Sequence, residues 1–162
     1  MLVVSNTSPP SNLAIIDRHE ILRGQFGTIL IPSAVRLELD RLSHPAACSR
    51  LATAFRDGWL QVVPLPRAVP AELEGLLDPG ETEVLALALQ LSASLVLLDE
   101  SAARLKATQL GCAHTGVLGI LRWAKASGQI NSLTTEIRKL RVEARFFISP
   151  ALEKKLLASV GE

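Results

Sequence analysis

The sequence predicts an α/β fold, a three-layer α/β/α arrangement around a central parallel sheet, because short apolar runs alternate with helical patterns. Four runs rich in Val, Ile and Leu, at residues 2–4, 28–31, 60–63 and 95–98, are each followed by helical periodicity. This alternation is typical of buried parallel strands joined by helices. A chain of 162 residues fits a single domain with one core, residues 1–162.

Proline, glycine and capping residues predict where the helices begin and end. A first helix follows Ser8, Gly24 and Gly27 close the next one, Pro32 opens another, and Gly58 follows a stretch rich in Ala and Arg. Beyond residue 98 the pattern is mostly helical, at 102–110, 117–126, 133–142 and 150–160, with a short strand near 112–114. Residues 132–162 are therefore expected to form a helical C-terminal extension.

Composition restricts the function classes. Hydrophobic residues make up 48% of the chain, so we expect a homodimer or higher homo-oligomer with a buried apolar interface. No apolar run approaches the roughly 18–20 residues of a membrane span, which predicts a cytoplasmic protein without membrane contact. Cys48 and Cys112 lie far apart and the histidines are scattered, so a zinc site or disulfide framework is not expected. The net charge of +1 and the absence of Tyr mean that any RNA contact must use local basic patches.

Two polar residues follow predicted strands directly. Asn6 comes after the first strand and Asp99 after the run at 95–98. The ligand crevice of an open parallel sheet lies at the carboxyl ends of its strands, and right-handed crossovers can place these two ends side by side. The alternative is that both residues are helix N-caps, since Asn and Asp accept hydrogen bonds from free backbone N–H groups.

Two glutamates border apolar helix faces. Glu81 shares a face with Leu85 and Leu89, so it points toward protein or a cleft, although Asp78, Pro79 and Glu81 also resemble a capping box. Glu38 is flanked by apolar residues of its own helix, while Glu83 is expected to be more solvated. Glu83, Glu100 and Asp17 are further acidic residues, and the sequence spacing does not show which of them lies near Glu38, Glu81 or Asp99.

Four motifs occur in a fairly specific order. The chain reads V-V-S-N-T-S-P at residues 3–9, V-R-L-E-L at 35–39, G-E-T-E at 80–83 and L-L-D-E at 97–100, with T-G-V-L-G at 115–119. In these motifs, and over nearly its whole length, the chain resembles the PIN-domain family, specifically the VapC-like branch. The resemblance implies a PIN-like fold, to which the helical pattern adds the C-terminal extension.

The resemblance also implies a chemistry: an endoribonuclease that depends on Mg²⁺ or Mn²⁺, commonly the toxin of a toxin–antitoxin pair. Hard divalent cations prefer carboxylate oxygens, lower the pKa of a bound water and neutralise charge on a phosphoryl group, so no covalent nucleophile is needed. By resemblance, Glu38, Glu81 and Asp99 are the catalytic carboxylates. The metal ligands are these three residues together with Asn6. Ser8 and Thr115 are supporting residues.

Asn6 departs from the family pattern, in which most members have aspartate at this position. An amide oxygen ligates a metal without the negative charge of a carboxylate, so we expect weaker metal binding and reduced activity. The alternative function is a catalytically silent PIN module that binds RNA or a protein partner, an antitoxin among them. Arg36 and Arg104 are candidate phosphate contacts, with solvated surface charge as the alternative. A nucleotide-binding domain is disfavoured because no glycine-rich phosphate motif follows a strand.

Overall fold

The structure is a computed structural model that describes residues 1–162 and contains one five-stranded sheet. All neighbouring strands run parallel, in the order β3-β2-β1-β4-β5. The strands are β1 Val3–Ser5, β2 Ile29–Ile31, β3 Leu60–Val62, β4 Leu95–Leu97 and β5 His114–Thr115. The predicted parallel sheet is confirmed, with the last strand displaced toward Thr115.

Nine helices connect and cover the strands. They are α1 Ser8–Ile15, α2 Glu20–Phe26, α3 Ser33–Asp40, α4 Pro45–Arg56, α5 Pro79–Leu91, α6 Ser101–Gln109, α7 Val117–Ala126, α8 Leu133–Glu143 and α9 Pro150–Ala158. In one group of helices, α1 packs against α4 and α7. In the other group, α3 packs on α5, and α5 lies on β1 and β4. This is the three-layer α/β/α arrangement. None of the helices is long and apolar enough to span a bilayer.

The sheet is buried because its strands carry aliphatic side chains on both faces. Val3, Val4, Val96 and Leu97 have no exposed surface, and they belong to one apolar cluster that includes residues from the sheet and from helices on either side of it. Strands that are covered on both faces read as continuous hydrophobic runs. For this reason the strand positions are legible in the sequence.

One predicted helix boundary is wrong. Gly24 lies inside α2 and does not close it. The helix ends at Gly27, whose φ of +72° lies in the left-handed region that glycine adopts without steric cost. Gly24 has helical geometry and makes no such turn, so its presence carried no boundary information.

The order of the strands reverses at the border between β1 and β4. The chain builds β1, β2 and β3 outward to one side, then returns to place β4 against the other side of β1. Ser5 is paired with Leu97, and the backbone N–H of Asn6 donates to the Leu97 carbonyl at 3.0 Å. Ligand crevices of open α/β sheets form at such a switch point, outside the carboxyl ends of the strands.

The C-terminal helices are attached by packing and by one carboxylate. Helix α8 buries Leu133, Ile137 and Leu140 in the common core, whereas α9 has no fully buried residue. The Glu162 side chain accepts hydrogen bonds from the backbone N–H groups of Leu133 and Thr134, both at 2.8 Å. The Thr134 hydroxyl and these two N–H groups lower the pKa of Glu162 to about 2. A carboxylate at the first turn of α8 thus ties the end of the chain to that helix.

Candidate active site at the carboxyl edge of the sheet

Asp99 leaves the end of β4 and is held on both carboxylate oxygens. The Ser8 hydroxyl donates to Oδ2 at 2.7 Å, and the backbone N–H of Val117 donates to Oδ1 at 2.8 Å. Val117 is the first residue of α7, so Asp99 caps that helix and not α6, the helix that follows it in sequence. A Cβ on Gly116 would overlap Asp99 Oδ1, so only glycine there leaves room for this carboxylate.

Asn6 lies at the end of β1, beside the strand that carries Asp99. Its side chain is 5% exposed, and its Oδ1 is buried without a hydrogen-bond donor. The predicted capping alternative is wrong for this residue, because the N-cap of α1 is Thr7, which makes no side-chain capping bond. A buried acceptor left unpaired costs about 1–3 kcal/mol and calls for an explanation, such as a bound ion.

Two consecutive hydroxyls link the strand end to acidic residues on both sides. The Thr7 hydroxyl donates to Glu38 Oε2 and the Ser8 hydroxyl to Asp99. Asn12, one turn along α1, donates from Nδ2 to Ser8 Oγ at 2.9 Å. The family resemblance predicted a supporting role for Ser8 but none for Thr7 or Asn12. A role for Thr7 could have been predicted, since this residue lies between Asn6 and Ser8 in the first motif.

Glu38 reaches the site from α3 because α3 packs on α5. Its carboxylate lies against the first turn of α5, where a Cβ on Gly80 would overlap Glu38 Oε1. The free N–H groups of a helix start favour a negative charge there. The glycine of the G-E-T-E motif therefore admits the carboxylate of another helix.

Glu81 is 6% exposed and completes the predicted capping box. Asp78 accepts from the Glu81 backbone N–H at 2.8 Å, and Glu81 Oε2 accepts from the Asp78 backbone N–H at 3.3 Å. Glu83 is not solvated as expected. It is partly buried, and it accepts from the backbone N–H of Ala34 at 2.9 Å, which ties α5 to the start of α3.

Comparison with known proteins gives the family. A model described as a PIN domain, DUF3368, matches residues 2–162.

The chain belongs to the PIN-domain family. A PilT N-terminus domain protein from the hyperthermophilic archaeon Sulfolobus solfataricus P2 has a similar structure, with a TM-score of 0.53 and 20% identity over 82% of this chain and 97% of that one. At this identity the likeness supports the fold alone. A search of curated proteins returned no match. PIN domains generally are metal-dependent nucleases and typically use divalent ions.

The acidic residues of this PIN domain repel one another. Burial raises the pKa of Asp99, as does the charge of Glu100, against hydrogen bonds from Ser8 and Val117 and the positive charge of Arg104, which lower it. Burial also raises the pKa of Glu81, followed by the charges of Asp78, Glu100 and Glu38. A bound cation would relieve this repulsion, since opposite charge favours the ionised carboxylate.

The types of oxygen atom present at this edge are those that a hard divalent cation binds. Carboxylate, amide and hydroxyl oxygens surround the junction of β1 and β4, and Asn6 Oδ1 is a buried oxygen with no other partner. No three acidic, histidine or cysteine side chains converge closely enough to hold one ion, because separate hydrogen bonds hold Glu38, Glu81 and Asp99. The amide oxygen of Asn6 is the one predicted ligand that its neighbours leave unengaged.

The remaining predicted residues fall in different places. Arg104 is exposed, forms no ion pair and lines a cavity together with Asp99 and Thr115. Arg36 lies over the Phe55 ring at 4.0 Å and donates to Asp40 at 2.9 Å, on the side of α3 that faces α4. The structure therefore brings Arg104 to the acidic edge and gives Arg36 other partners. RNA contact by either residue stays a prediction.

Proposed function

We propose that this PIN domain is a divalent-metal-dependent endoribonuclease of the VapC type, the toxin of a toxin–antitoxin pair, and that it uses Mg²⁺ or Mn²⁺. The observation that carries the proposal is the unpaired, buried Oδ1 of Asn6, at the end of β1, which pairs with the strand that leads to Asp99. A buried oxygen without a partner, next in sequence to two hydroxyls that bind carboxylates, is expected at a site for a hard cation.

The side chains proposed to hold the cation are Asn6, Glu38, Glu81 and Asp99. The three carboxylates do not converge on one point in this structure, so cation binding would have to draw Glu38 and Glu81 toward Asn6 and Asp99. When bound, Mg²⁺ or Mn²⁺ supplies an acidified water and neutralises negative charge on the phosphodiester. Thr7 and Ser8 are positioning residues, since their hydroxyls fix the Glu38 and Asp99 carboxylates.

The substrate-side groups lie on the other flank of Asp99. The Arg104 guanidinium is free to hold a phosphate of the RNA backbone. Thr115 lines the same cavity and supports the wall formed by α7, where a Cβ on Gly119 would overlap its hydroxyl. The residues on this edge then divide into a cation side and a phosphate side.

A second candidate function is a catalytically silent PIN module that binds RNA or a protein partner. Two observations favour it: Asn6 brings no charge to the site, and no three acidic groups converge there. An amide ligand lowers metal affinity relative to a carboxylate, so the cluster would persist as structure while turnover is lost.

The test compares cleavage of a mixed RNA pool by the parent protein and by Asn6→Asp, each with Mn²⁺ and with EDTA at equal protein concentration. EDTA-sensitive cleavage by the parent supports the nuclease. Cleavage by Asn6→Asp alone supports the silenced module, and cleavage by neither refutes the nuclease. Asp99→Ala should abolish any activity. Asp57→Ala, which removes an acidic side chain at the exposed end of α4, is the matched control.

For its partners, we propose a cytoplasmic homodimer or higher oligomer that is held inactive by an antitoxin protein. Exposed apolar side chains on α3 and α6, Leu37 at 58% and Leu105 at 62%, supply the surface that such interfaces require. Light scattering of the purified chain measures the assembly directly. A monomer at micromolar concentration would contradict the oligomer.

A further inference from the structure

An exposed aromatic residue stands beside the acidic edge. Phe147 lies in the segment between α8 and α9 and is 86% exposed, whereas the adjacent Phe146 is partly buried against the core. The chain has only four Phe, two Trp and no Tyr, so this pair holds a third of its aromatic side chains. Phe147 contributes little to folding in this position, which leaves its exposure unexplained by packing.

Two cavities join this aromatic pair to Asp99. One of about 350 Å³ is bounded by α6, α7 and α9, and the other, of about 410 Å³, opens toward Ser8 and Asn12. Asp99, Phe146 and Phe147 line both. Small-molecule sites commonly measure about 300–1,000 Å³. The ring of Phe147 thus borders space of ligand size that is continuous with the candidate site.

The segment that carries Phe147 has a defined turn. Two residues after the end of α8, Arg145 lies in the left-handed region at φ +53°, and the Phe146 N–H donates to the Leu140 carbonyl at 3.0 Å. Glycine is the residue preferred at a left-handed position directly after a helix. Arg145 is exposed there and forms no ion pair, as is also true of Arg104 on the first cavity. Two unpaired cations therefore accompany one exposed ring.

We propose that Phe147 is a stacking platform for an unpaired base of single-stranded RNA, with Arg104 and Arg145 on the adjoining phosphates. The inference rests on the proposed function in taking RNA as the ligand, and it adds how the strand is held beside Asp99. Aromatic rings stack bases of any sequence, and guanidinium groups bind the backbone. The subsite would then position RNA without strong sequence preference.

Charge favours RNA over the other occupants of this surface. In a two-fold contact with a second copy the same patch would be present on both sides of the interface, so each chain would bring both Arg104 and Arg145 to it. An apolar peptide segment would leave both guanidinium groups without a counter-charge. A nucleic-acid strand satisfies the ring and the two cations together.

The test measures binding by fluorescence anisotropy in EDTA, so that no cleavage occurs. The probes are a ten-nucleotide oligouridylate and an oligomer of the same length without bases. Phe147→Ala should weaken oligouridylate binding about tenfold and leave binding of the abasic oligomer unchanged. Val142→Ala removes an exposed apolar side chain, 71% exposed, that lines neither cavity, and should have no effect on either probe.

A second variant separates charge from folding. Glycine adopts the backbone conformation of residue 145 freely, so Arg145→Gly removes the cation without straining the turn. Arg145→Gly should weaken the binding of both oligomers and reduce the slope of log affinity against log salt concentration by about one. Unchanged affinity and slope in this variant would refute the phosphate contact.

The outcomes also separate this subsite from the nuclease proposal. If the parent cleaves RNA with Mn²⁺ but Phe147→Ala binds oligouridylate as tightly as the parent, the subsite is wrong and the nuclease stands. If binding depends on Phe147 but no variant cleaves RNA, the subsite stands and the nuclease fails. A change of oligomeric mass in Phe147→Ala with RNA affinity unchanged would assign this surface to a protein interface and overturn the proposal.

Discussion

Asn6→Asp tests whether the acidic edge behaves as one electrostatic cluster. The two side chains are almost equal in volume, so the substitution opens no cavity, and its cost is that of a charge placed in a 5% exposed position. The carboxyl groups of Asp99 and Glu81 already have raised pKa values. We therefore expect Asn6→Asp to be less stable than the parent at pH 7 without metal.

The size of this loss has an upper bound. The folded protein can avoid the buried charge by binding a proton on the introduced carboxyl group, so the loss cannot exceed the free energy of that protonation. Protonation costs about 1.4 kcal/mol for each pH unit above the unfolded pKa of about 3.9, which is about 4 kcal/mol at pH 7. We expect a loss of about 1–4 kcal/mol. For a chain of this size each kcal/mol lowers the Tm by about 2–4 °C.

The direction in which the stability loss of Asn6→Asp changes with pH follows from the raised pKa of the introduced carboxyl group. The penalty is present above the unfolded pKa and disappears as the pH falls toward about 4, because both states then bind the proton. Mn²⁺ should act in the same direction at pH 7, since a free concentration of 100 times the Kd stabilises the folded state by about 2.7 kcal/mol. The difference in Tm from the parent should therefore shrink with acid and with Mn²⁺.

Thermal unfolding of the parent and of Asn6→Asp at pH 5 and 7, in EDTA and in Mn²⁺, makes the measurement. Asn131→Asp, on an exposed residue, adds the same charge away from the site and serves as the control. If Asn6→Asp is as stable as the parent in EDTA and does not respond to Mn²⁺, position 6 is not coupled to the acidic residues. The reasoning from the unpaired Oδ1 would then fail.

Three other substitutions test the supports of the site and of the C-terminal helix. Gly116→Ala should cost about 1–3 kcal/mol in urea unfolding, because the new Cβ would meet a backbone oxygen at 2.9 Å as well as Asp99. Ser8→Ala should cost about 1.5–3 kcal/mol and raise the pKa of Asp99, measured by NMR titration, since it removes a hydrogen bond to the carboxylate. Glu162→Gln should be less stable than the parent at pH 7. Because Thr134 helps to lower the pKa of Glu162 from 4.5 to about 2, that difference should shrink as the pH falls from 4.5 toward 2.

The fold was predictable because its signals are local. Buried parallel strands are continuous apolar runs, and prolines mark the starts of α4, α5 and α9. Helix ends that carry neither glycine nor proline could not be predicted from the sequence. Helix α5 stops at Ser92 in the left-handed region with φ +52°, where neither glycine nor proline announces the end. Gly24 shows the converse, a glycine inside a helix that ends elsewhere.

The site was predictable only as far as strand order decides it. The pairing of β1 with β4 places Asn6 beside the strand that carries Asp99, as expected from alternating strands and helices. The contact of Glu38 with the start of α5 depends on how α3 packs on α5, which no local pattern encodes. The same packing gives Glu83 its backbone partner on α3 and overturned its expected solvation.

The cap and ligand interpretations of these carboxylates are compatible. An ionised carboxylate offers about four acceptor positions, and Asp99 uses one on each oxygen, for Ser8 and for the start of α7. Those bonds fix its direction and offset part of the pKa rise caused by burial, while the other lone pairs remain available to a cation. A helix cap at a strand end is therefore a way to hold a negative charge ready inside the protein. Asn6 differs in having no such hydrogen bond to its Oδ1, and so the identity of this residue should determine whether the edge binds metal strongly.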